Sequence, residues 1–185
     1  NATGINSLSL SATTNKAAGA RDIAIGDVST EVAAGGTQTS DNLAIGSSSS
    51  TSKPKATGGY SMAIGHGDIT ASGNSSMAIG ANSVTAAGDN DIAIGANGTT
   101  TKVWSGTQTT GNVSVGLGTT ANGGVSAAFG SGGVSATGYS ATAVGHNSIT
   151  ASGQNSTAMG NSGVTASGYG ATALGYSGVT AAGSN

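Results

Sequence analysis

Hydrophobic and polar positions recur along this chain with a period of about fifteen residues. A short phrase of Ala, a bulky apolar residue and Gly marks each repeat, as in Ala63-Ile64-Gly65 and Ala78-Ile79-Gly80. Ten copies occur, one of them the variant Ser114-Val115-Gly116, and their glycines are separated by 20, 19, 15, 15, 21, 14, 15, 15 and 15 residues. A fixed short period is typical of solenoids, in which each repeat forms one coil.

A second phrase lies midway between copies of the first, as in Val84-Thr85-Ala86-Ala87-Gly88. The four- or five-residue runs between glycines are too short for helices, and glycine suits tight turns. Val84 and Ala86 share one strand face and Thr85 lies on the other, which indicates a half-buried strand. The pattern therefore predicts an all-β parallel solenoid whose coils each contain two short strands.

The first phrase is apolar on both strand faces. Met77 and Ile79 share one face, and Ala78 lies on the other. Strands that are apolar on both faces are usually covered on both. The coil interior covers one face, and no helical pattern is present to cover the other. We therefore expect other copies of the chain to cover it in a homo-oligomer.

Three intervals longer than fifteen residues predict insertions near residues 27–42, 47–60 and 96–112, within one domain of about ten repeats over residues 1–185. Insertions in solenoids form loops, often on a binding face. The third insertion contains the single Trp, Trp104, which could anchor a contact or cap the local strands. In the second insertion, Lys53 and Lys55 flank Pro54 at a predicted solvated loop tip.

Tyrosines follow several turn glycines. They could stack on sugars or proline-rich chains, or they could only cover the turn backbone. Both interpretations stay open. The ligand-binding candidates are Lys102, Trp104, Tyr139, Tyr169, Tyr60, Lys53 and Lys55.

Charge and composition narrow the function. The net charge is −2 and the five basic residues form no stripe, which argues against nucleic acid or an anionic membrane as partner. No apolar run is long enough to cross a membrane, so we expect no direct membrane insertion by this chain. The seven acidic residues form no recognisable catalytic set, and His66 and His146 lie on coils too far apart to share a metal. We predict a non-enzymatic protein without cofactor or metal.

Both phrases together resemble a known repeat. Ser76-Met77-Ala78-Ile79-Gly80 followed by residues 84–88, and Thr157-Ala158-Met159-Gly160 followed by residues 164–168, are similar to the YadA-like head of trimeric autotransporter adhesins. The resemblance extends from about residue 22 to residue 183.

The resemblance implies a left-handed parallel β-roll with three chains around a threefold axis. It implies a head displayed on the surface of a Gram-negative bacterium, carried on a stalk above an outer-membrane anchor that lies outside this sequence. Such heads bind host extracellular matrix proteins of the collagen, fibronectin and laminin class, or other bacterial cells in autoaggregation. In a collagen-binding member the repeat phrase itself takes part, which here corresponds to residues 74–80 and their sister copies.

Two other functions remain open. Regular outward Thr rows would suit an ice-binding β-solenoid, although Tyr and His at the turns break the regularity. The chain could also be a spacer segment of a surface fibre. A carbohydrate-active β-helix enzyme is disfavoured by the scarcity of carboxylates.

Overall fold

The computed structural model describes residues 2–10, 16–26, 31–32, 41–47, 53–101 and 111–184. These residues form two parallel sheets of eleven strands each, wound as a solenoid, which confirms the predicted all-β architecture. Strands are numbered in chain order, so that odd numbers belong to the first sheet and even numbers to the second.

The first sheet contains β1 (Leu8–Leu10), β3 (Ile23–Gly26), β5 (Leu43–Ser47), β7 (Met62–His66), β9 (Met77–Ala81), β11 (Ile92–Ala96), β13 (Val113–Leu117), β15 (Ala127–Ser131), β17 (Thr142–His146), β19 (Thr157–Asn161) and β21 (Thr172–Gly175). The second sheet contains β2 (Lys16–Ala17), β4 (Glu31–Val32), β6 (Lys55–Ala56), β8 (Ile69–Ala71), β10 (Val84–Ala86), β12 (Thr99–Thr101), β14 (Thr120–Ala121), β16 (Ser135–Ala136), β18 (Thr150–Ala151), β20 (Thr165–Ala166) and β22 (Thr180–Ala181). No helix that could span a membrane is found among the described residues.

Equivalent residues of successive coils stack in register. Ala93 pairs with Ala78 on one side and with Ser114 on the other, although 15 residues separate the first pair and 21 the second. The extra residues of the longer intervals therefore leave the pairing of the first sheet unchanged. The first coil lacks the Ala-x-Gly phrase, but Leu8 and Leu10 pair with Ile23 and Ile25 and add an eleventh coil to the ten marked by the phrase.

The interior of the solenoid is thin because small residues line it. The alanine of each first-sheet phrase is fully buried, as at Ala63, Ala78 and Ala93. Opposite them lie the Val or Ile and the Ala of the second-sheet strands, such as Val84 and Ala86. The bulky residues of the first phrase point outward, and the Thr of the second phrase is half-buried on the outer face.

Glycine at the end of each first-sheet strand is required by close contact between coils. Gly80 has a φ of +148°, and a Cβ added there would lie 1.7 Å from the carbonyl oxygen of Gly95 in the next coil. Any side chain would therefore separate the coils, which explains why this position is Gly in every copy of the phrase.

The apolar core is divided in two. One cluster of buried residues ends at Ala93 and the other begins at Ala121. Between them the interior positions carry hydroxyl groups: Thr99, Thr101, Ser114 and Thr119 are all fully buried. We call these four residues the polar core segment.

Hydrogen bonds satisfy most of the polar core segment. The hydroxyls of Ser114 and Thr119 lie 2.8 Å apart, and the Thr99 hydroxyl donates to the carbonyl oxygen of Gly116 at 2.6 Å. The Thr101 hydroxyl lies 3.3 Å from the carbonyl oxygen of Thr85. The segment adjoins residues 102–110, which lie outside the described residues.

Two buried Asp–Asn–Ser ladders connect coils across the longest intervals. The backbone amide of Asn112 donates to the Asp91 carboxylate at 2.8 Å, and the Asn112 side-chain oxygen accepts from the Ser126 amide and hydroxyl. Asp22, Asn42 and Ser61 repeat this arrangement. Each Asp also accepts the amide of the glycine three residues before it, and this bond closes its own turn.

Candidate binding surfaces

One edge of the solenoid places tyrosines in line. Tyr139, Gln154 and Tyr169 occupy the same position of three successive coils, directly after the second-phrase glycine. The amide of Asn155 donates to the Tyr139 carbonyl oxygen, and the amide of Gly170 donates to that of Gln154, so the backbone register of this row is set by hydrogen bonds. Tyr139 is 47% exposed and Tyr169 is 54% exposed. The structure thus brings together two of the tyrosines selected from the sequence.

Tyr60 lies elsewhere on the solenoid. It precedes β7, whereas Tyr139 precedes β17, so five coils separate them, about 24 Å along the axis. Tyr60 occupies the turn position that Arg21 and Asp41 occupy in the two preceding coils, and all three have positive φ. The Tyr60 side chain is 53% exposed.

Arg21 and Asp41 form a two-pronged ion pair between those coils. Nε of Arg21 bonds to Oδ1 of Asp41, and Nη2 bonds to Oδ2 at 2.8 Å. This hydrogen bonding holds the pKa of the Asp41 carboxyl below its usual value and raises the pKa of Arg21. Arg21 is exposed and Asp41 is half-buried, so water screens the pair, which orients the turn rather than supplying a large share of stability.

The two lysines of the second insertion do not form a solvated loop tip, and that expectation is wrong. Lys55 begins β6 and pairs with Thr70, while Pro54 is buried against the coil. Lys53 and Lys55 are half-buried. Pairing with the next coil extends the sheet through this segment, although its sequence has few strand-forming residues.

Lys102 and Trp104 lie outside the described residues, so their predicted role in ligand binding stays a prediction. The polar core segment ends directly before them, at Thr101.

The outer face of the first sheet is a second candidate surface. It carries two rows of residues, one on each side of the buried Ala row. We call these rows the outer apolar face. Large apolar side chains form most of it: Ile23, Ile25, Leu43, Ile45, Met62, Ile64, Met77, Ile79, Ile92, Ile94, Val113, Val115, Phe129, Val144, Met159 and Leu174. Phe129 and Met159 are each 39% exposed and Leu174 is 62% exposed. Contiguous exposed apolar surface marks interaction sites.

No group of three His, Asp or Glu side chains able to hold a metal ion occurs within the described ranges. His146 is exposed, and its Nδ1 lies 3.4 Å from the side-chain nitrogen Nδ2 of Asn161 in the next coil. Burial raises the pKa of Asp91, but this carboxylate lies in the interior and bonds to backbone amides of Asn112 and Gly88.

Sequence reasoning missed Gln154, Thr137 and Ser152, which border Tyr139 on the tyrosine edge. The signal was present, because these residues occupy fixed positions of the fifteen-residue repeat beside Tyr139. Thr137 and Ser152 occupy one position of successive repeats, and Tyr139 and Gln154 occupy another.

Comparison with known proteins identifies the repeat. Residues 71–97 and 136–162 match the YadA head domain repeat in two copies. No curated protein and no solved structure matches the chain.

Proposed function

We propose that this chain, which carries a YadA-like head domain, is the non-enzymatic head of a trimeric autotransporter adhesin on the surface of a Gram-negative bacterium. It attaches the cell to host extracellular matrix proteins of the collagen, fibronectin and laminin class, or to other bacterial cells. The family match supports an adhesin-like function. We infer the trimeric assembly from one observation, the exposed apolar side chains of the outer apolar face.

The outer apolar face supports self-association because no described residue of the chain packs over it. Its two rows flank the buried Ala row in every coil from β3 to β13, and large apolar residues occupy both. Burial of apolar surface contributes about 25 cal/mol per Å², so a face of this length favours association between copies. Two further copies packed side by side would cover it around a threefold axis, with each chain wound as a left-handed roll.

Multivalency follows from such an assembly. Each weak contact would recur along the rod and on all three chains, and linked contacts raise avidity without any tight single site. The exposed tyrosines and the hydroxyl rows then supply the contacts, and the apolar face supplies the assembly.

The first test is the molar mass in solution by light scattering. A trimer of 17.1 kDa chains has a mass of about 51 kDa. Replacing both Met77 and Ile79 by Asp puts charges on the outer apolar face and is expected to yield monomers. Thr85→Asp is the matched control: it places a charge on the outer face of the second sheet and is expected to keep the trimer. A wild-type mass of 17.1 kDa would contradict the trimeric assembly.

Adhesion is tested on the same proteins. Beads coated with wild-type protein are expected to bind surfaces coated with collagen, fibronectin or laminin, or to aggregate with one another. The monomeric variant is expected to lose most of this binding, because avidity falls with valency. A folded trimer that binds no matrix protein, no cell and no second bead would contradict adhesion and favour a spacer segment.

A further inference from the structure

A groove runs along the tyrosine edge of the last coils. It has a volume of about 450 Å³ and is lined by Thr137, Gly138, Tyr139, Ser152 and Gln154. These residues come from two successive coils, so the groove crosses the boundary between them.

The floor of the groove is backbone. Gly138 and Gly153 are buried and occupy the same position of successive coils. A Cβ added at Gly138 would lie 2.0 Å from the carbonyl oxygen of Gly153, and one at Gly153 would lie 2.0 Å from that of Gly168. No side chain can occupy this row, and a depression therefore continues from coil to coil.

The walls of the groove carry hydroxyl, amide and aromatic groups. On one side lie the exposed Thr137 and Ser152, and on the other lie Tyr139 and Gln154. The same two positions of the following coil hold the exposed Ser167 and Tyr169. Two coils separate the tyrosines, about 9.6 Å at the usual strand spacing. In the earlier coils the tyrosine position holds Gly59, Asn74, Asp89 and Gly124.

The coils around the groove contain no residue with a formal charge. All five basic and all seven acidic residues lie at or before Lys102, so residues 103–185 contain no Lys, Arg, Asp or Glu. A charged ligand would find no partner of opposite sign in these coils. The groove therefore suits a neutral ligand.

We propose that this groove binds an extended neutral polysaccharide whose chain runs parallel to the solenoid axis. Sugar rings present an apolar face that stacks on tyrosine, and their hydroxyls both donate and accept hydrogen bonds, as do Thr, Ser and Gln. One sugar unit of an extended 1,4-linked chain is close in length to one coil spacing, so Tyr139 and Tyr169 contact alternate units. A proline-rich chain fits less well, because it offers carbonyl acceptors but few N–H donors and so would match only the donor half of these wall groups. The inference rests on the proposed adhesin function and names one ligand class for it.

The test measures binding of three neutral oligosaccharides by isothermal titration calorimetry. Cellohexaose and chitohexaose are extended, and maltohexaose is curved and serves as the geometric control. The wild-type protein is expected to bind at least one extended oligosaccharide more tightly than maltohexaose, with little dependence on salt because no charge takes part. Binding of neither extended oligosaccharide would overturn the proposal. Tighter binding of a proline-rich peptide titrated under the same conditions would also overturn it.

Variants assign the binding to the groove. The double replacement Tyr139→Ala and Tyr169→Ala is expected to weaken binding about tenfold or more, since each ring supplies a stacking contact. The corresponding Phe variants retain the rings and are expected to keep most of the affinity. Tyr176→Ala is the matched control, because Tyr176 is 78% exposed and follows the first-phrase glycine on another turn. Unchanged binding in the double Ala variant would contradict the groove assignment.

Molar mass and matrix adhesion are measured on every variant. A lower molar mass in the double Ala variant would assign the tyrosines to contacts between copies and overturn the proposal. An adhesive trimer that binds no extended oligosaccharide refutes the groove alone. A monomer that binds the oligosaccharide refutes the trimeric assembly and leaves the groove supported.

Discussion

Replacing Ser114 by Ala and Thr119 by Val tests whether the polar core segment depends on paired hydroxyls. The two hydroxyls lie 2.8 Å apart, and both side chains are fully buried. In most other coils the equivalent positions hold Ala, as at Ala128, and Val or Ile, as at Val134 and Ile149. The double variant therefore places residues that the solenoid already accommodates at these two positions.

The magnitudes follow from hydrogen-bond satisfaction. Either single variant leaves one buried hydroxyl without its partner, which costs about 1–3 kcal/mol. The two single costs sum to about 2–6 kcal/mol. Replacing both partners by apolar groups of similar shape is nearly neutral or stabilising. We therefore expect the double variant to match the wild type within about 1 kcal/mol, and the coupling energy to equal the sum of the two single costs to within about the same margin.

The assay is urea unfolding followed by circular dichroism at one fixed protein concentration, because the stability of an oligomer depends on concentration. Thr165→Val is the control: Thr165 is half-buried on the outer face of the second sheet, and its replacement is expected to change stability by less than about 0.5 kcal/mol. Additive costs in the double variant, or neutral single variants, would refute the reasoning.

Two further predictions concern contacts between coils. Gly80→Ala is expected to prevent folding, because the new Cβ would lie 1.7 Å from the Gly95 carbonyl oxygen. Soluble yield and circular dichroism measure the effect. Gly183→Ala is the control that is expected to fold, since nothing lies within 4 Å of its added Cβ. A well-folded Gly80→Ala protein would contradict the close packing. Burial raises the pKa of Asp91, so the folded chain holds this proton more tightly than the unfolded chain. The free energy of unfolding is therefore expected to fall as pH rises through the pKa that Asp91 has in the folded state. Asp91→Asn removes the titrating group, so this fall is expected to be absent in the variant. Equal pH slopes of urea-unfolding stability in both proteins would show that Asp91 does not titrate in this range.

The distribution of charge separates the two ends of the solenoid. Among the described residues, the Arg21–Asp41 ion pair and the buried Asp–Asn–Ser ladders belong to the coils before residue 127, whereas the interior of the later coils consists mainly of Ala, Val and Ile. The affinity of any contact made by the later coils would therefore change little with salt concentration. Salt would instead weaken the ion pair between Arg21 and Asp41, because it screens the attraction between their charges.

The repeat itself was determined by the sequence. Glycines seven or eight residues apart exclude helices, and the alternation of Val84, Thr85 and Ala86 shows which side of the second strand lies inside. The all-β solenoid and the register of most coils follow from those two facts, because strands of equal length stack only when like positions align.

Tertiary structure decided what periodicity leaves ambiguous. Both faces of the first phrase are apolar, so only the packed coil shows that Ala78 lies inside and Ile79 outside. The coil interior is too thin for two rows of large side chains. The first coil and the pairing of Lys55 in β6 also lay outside the pattern, since contacts with the neighbouring coil form these strands despite their poor local signal.

The candidate sites depend on contacts between coils. Tyr139 and Tyr169 were visible in the sequence, but the groove beside them exists because Gly138 and Gly153 pack too closely for any side chain between the two walls. The polar core segment likewise depends on Ser114 meeting Thr119 across the interior. Such meetings are set by the distance between folded coils, a quantity that a linear pattern of residues does not contain.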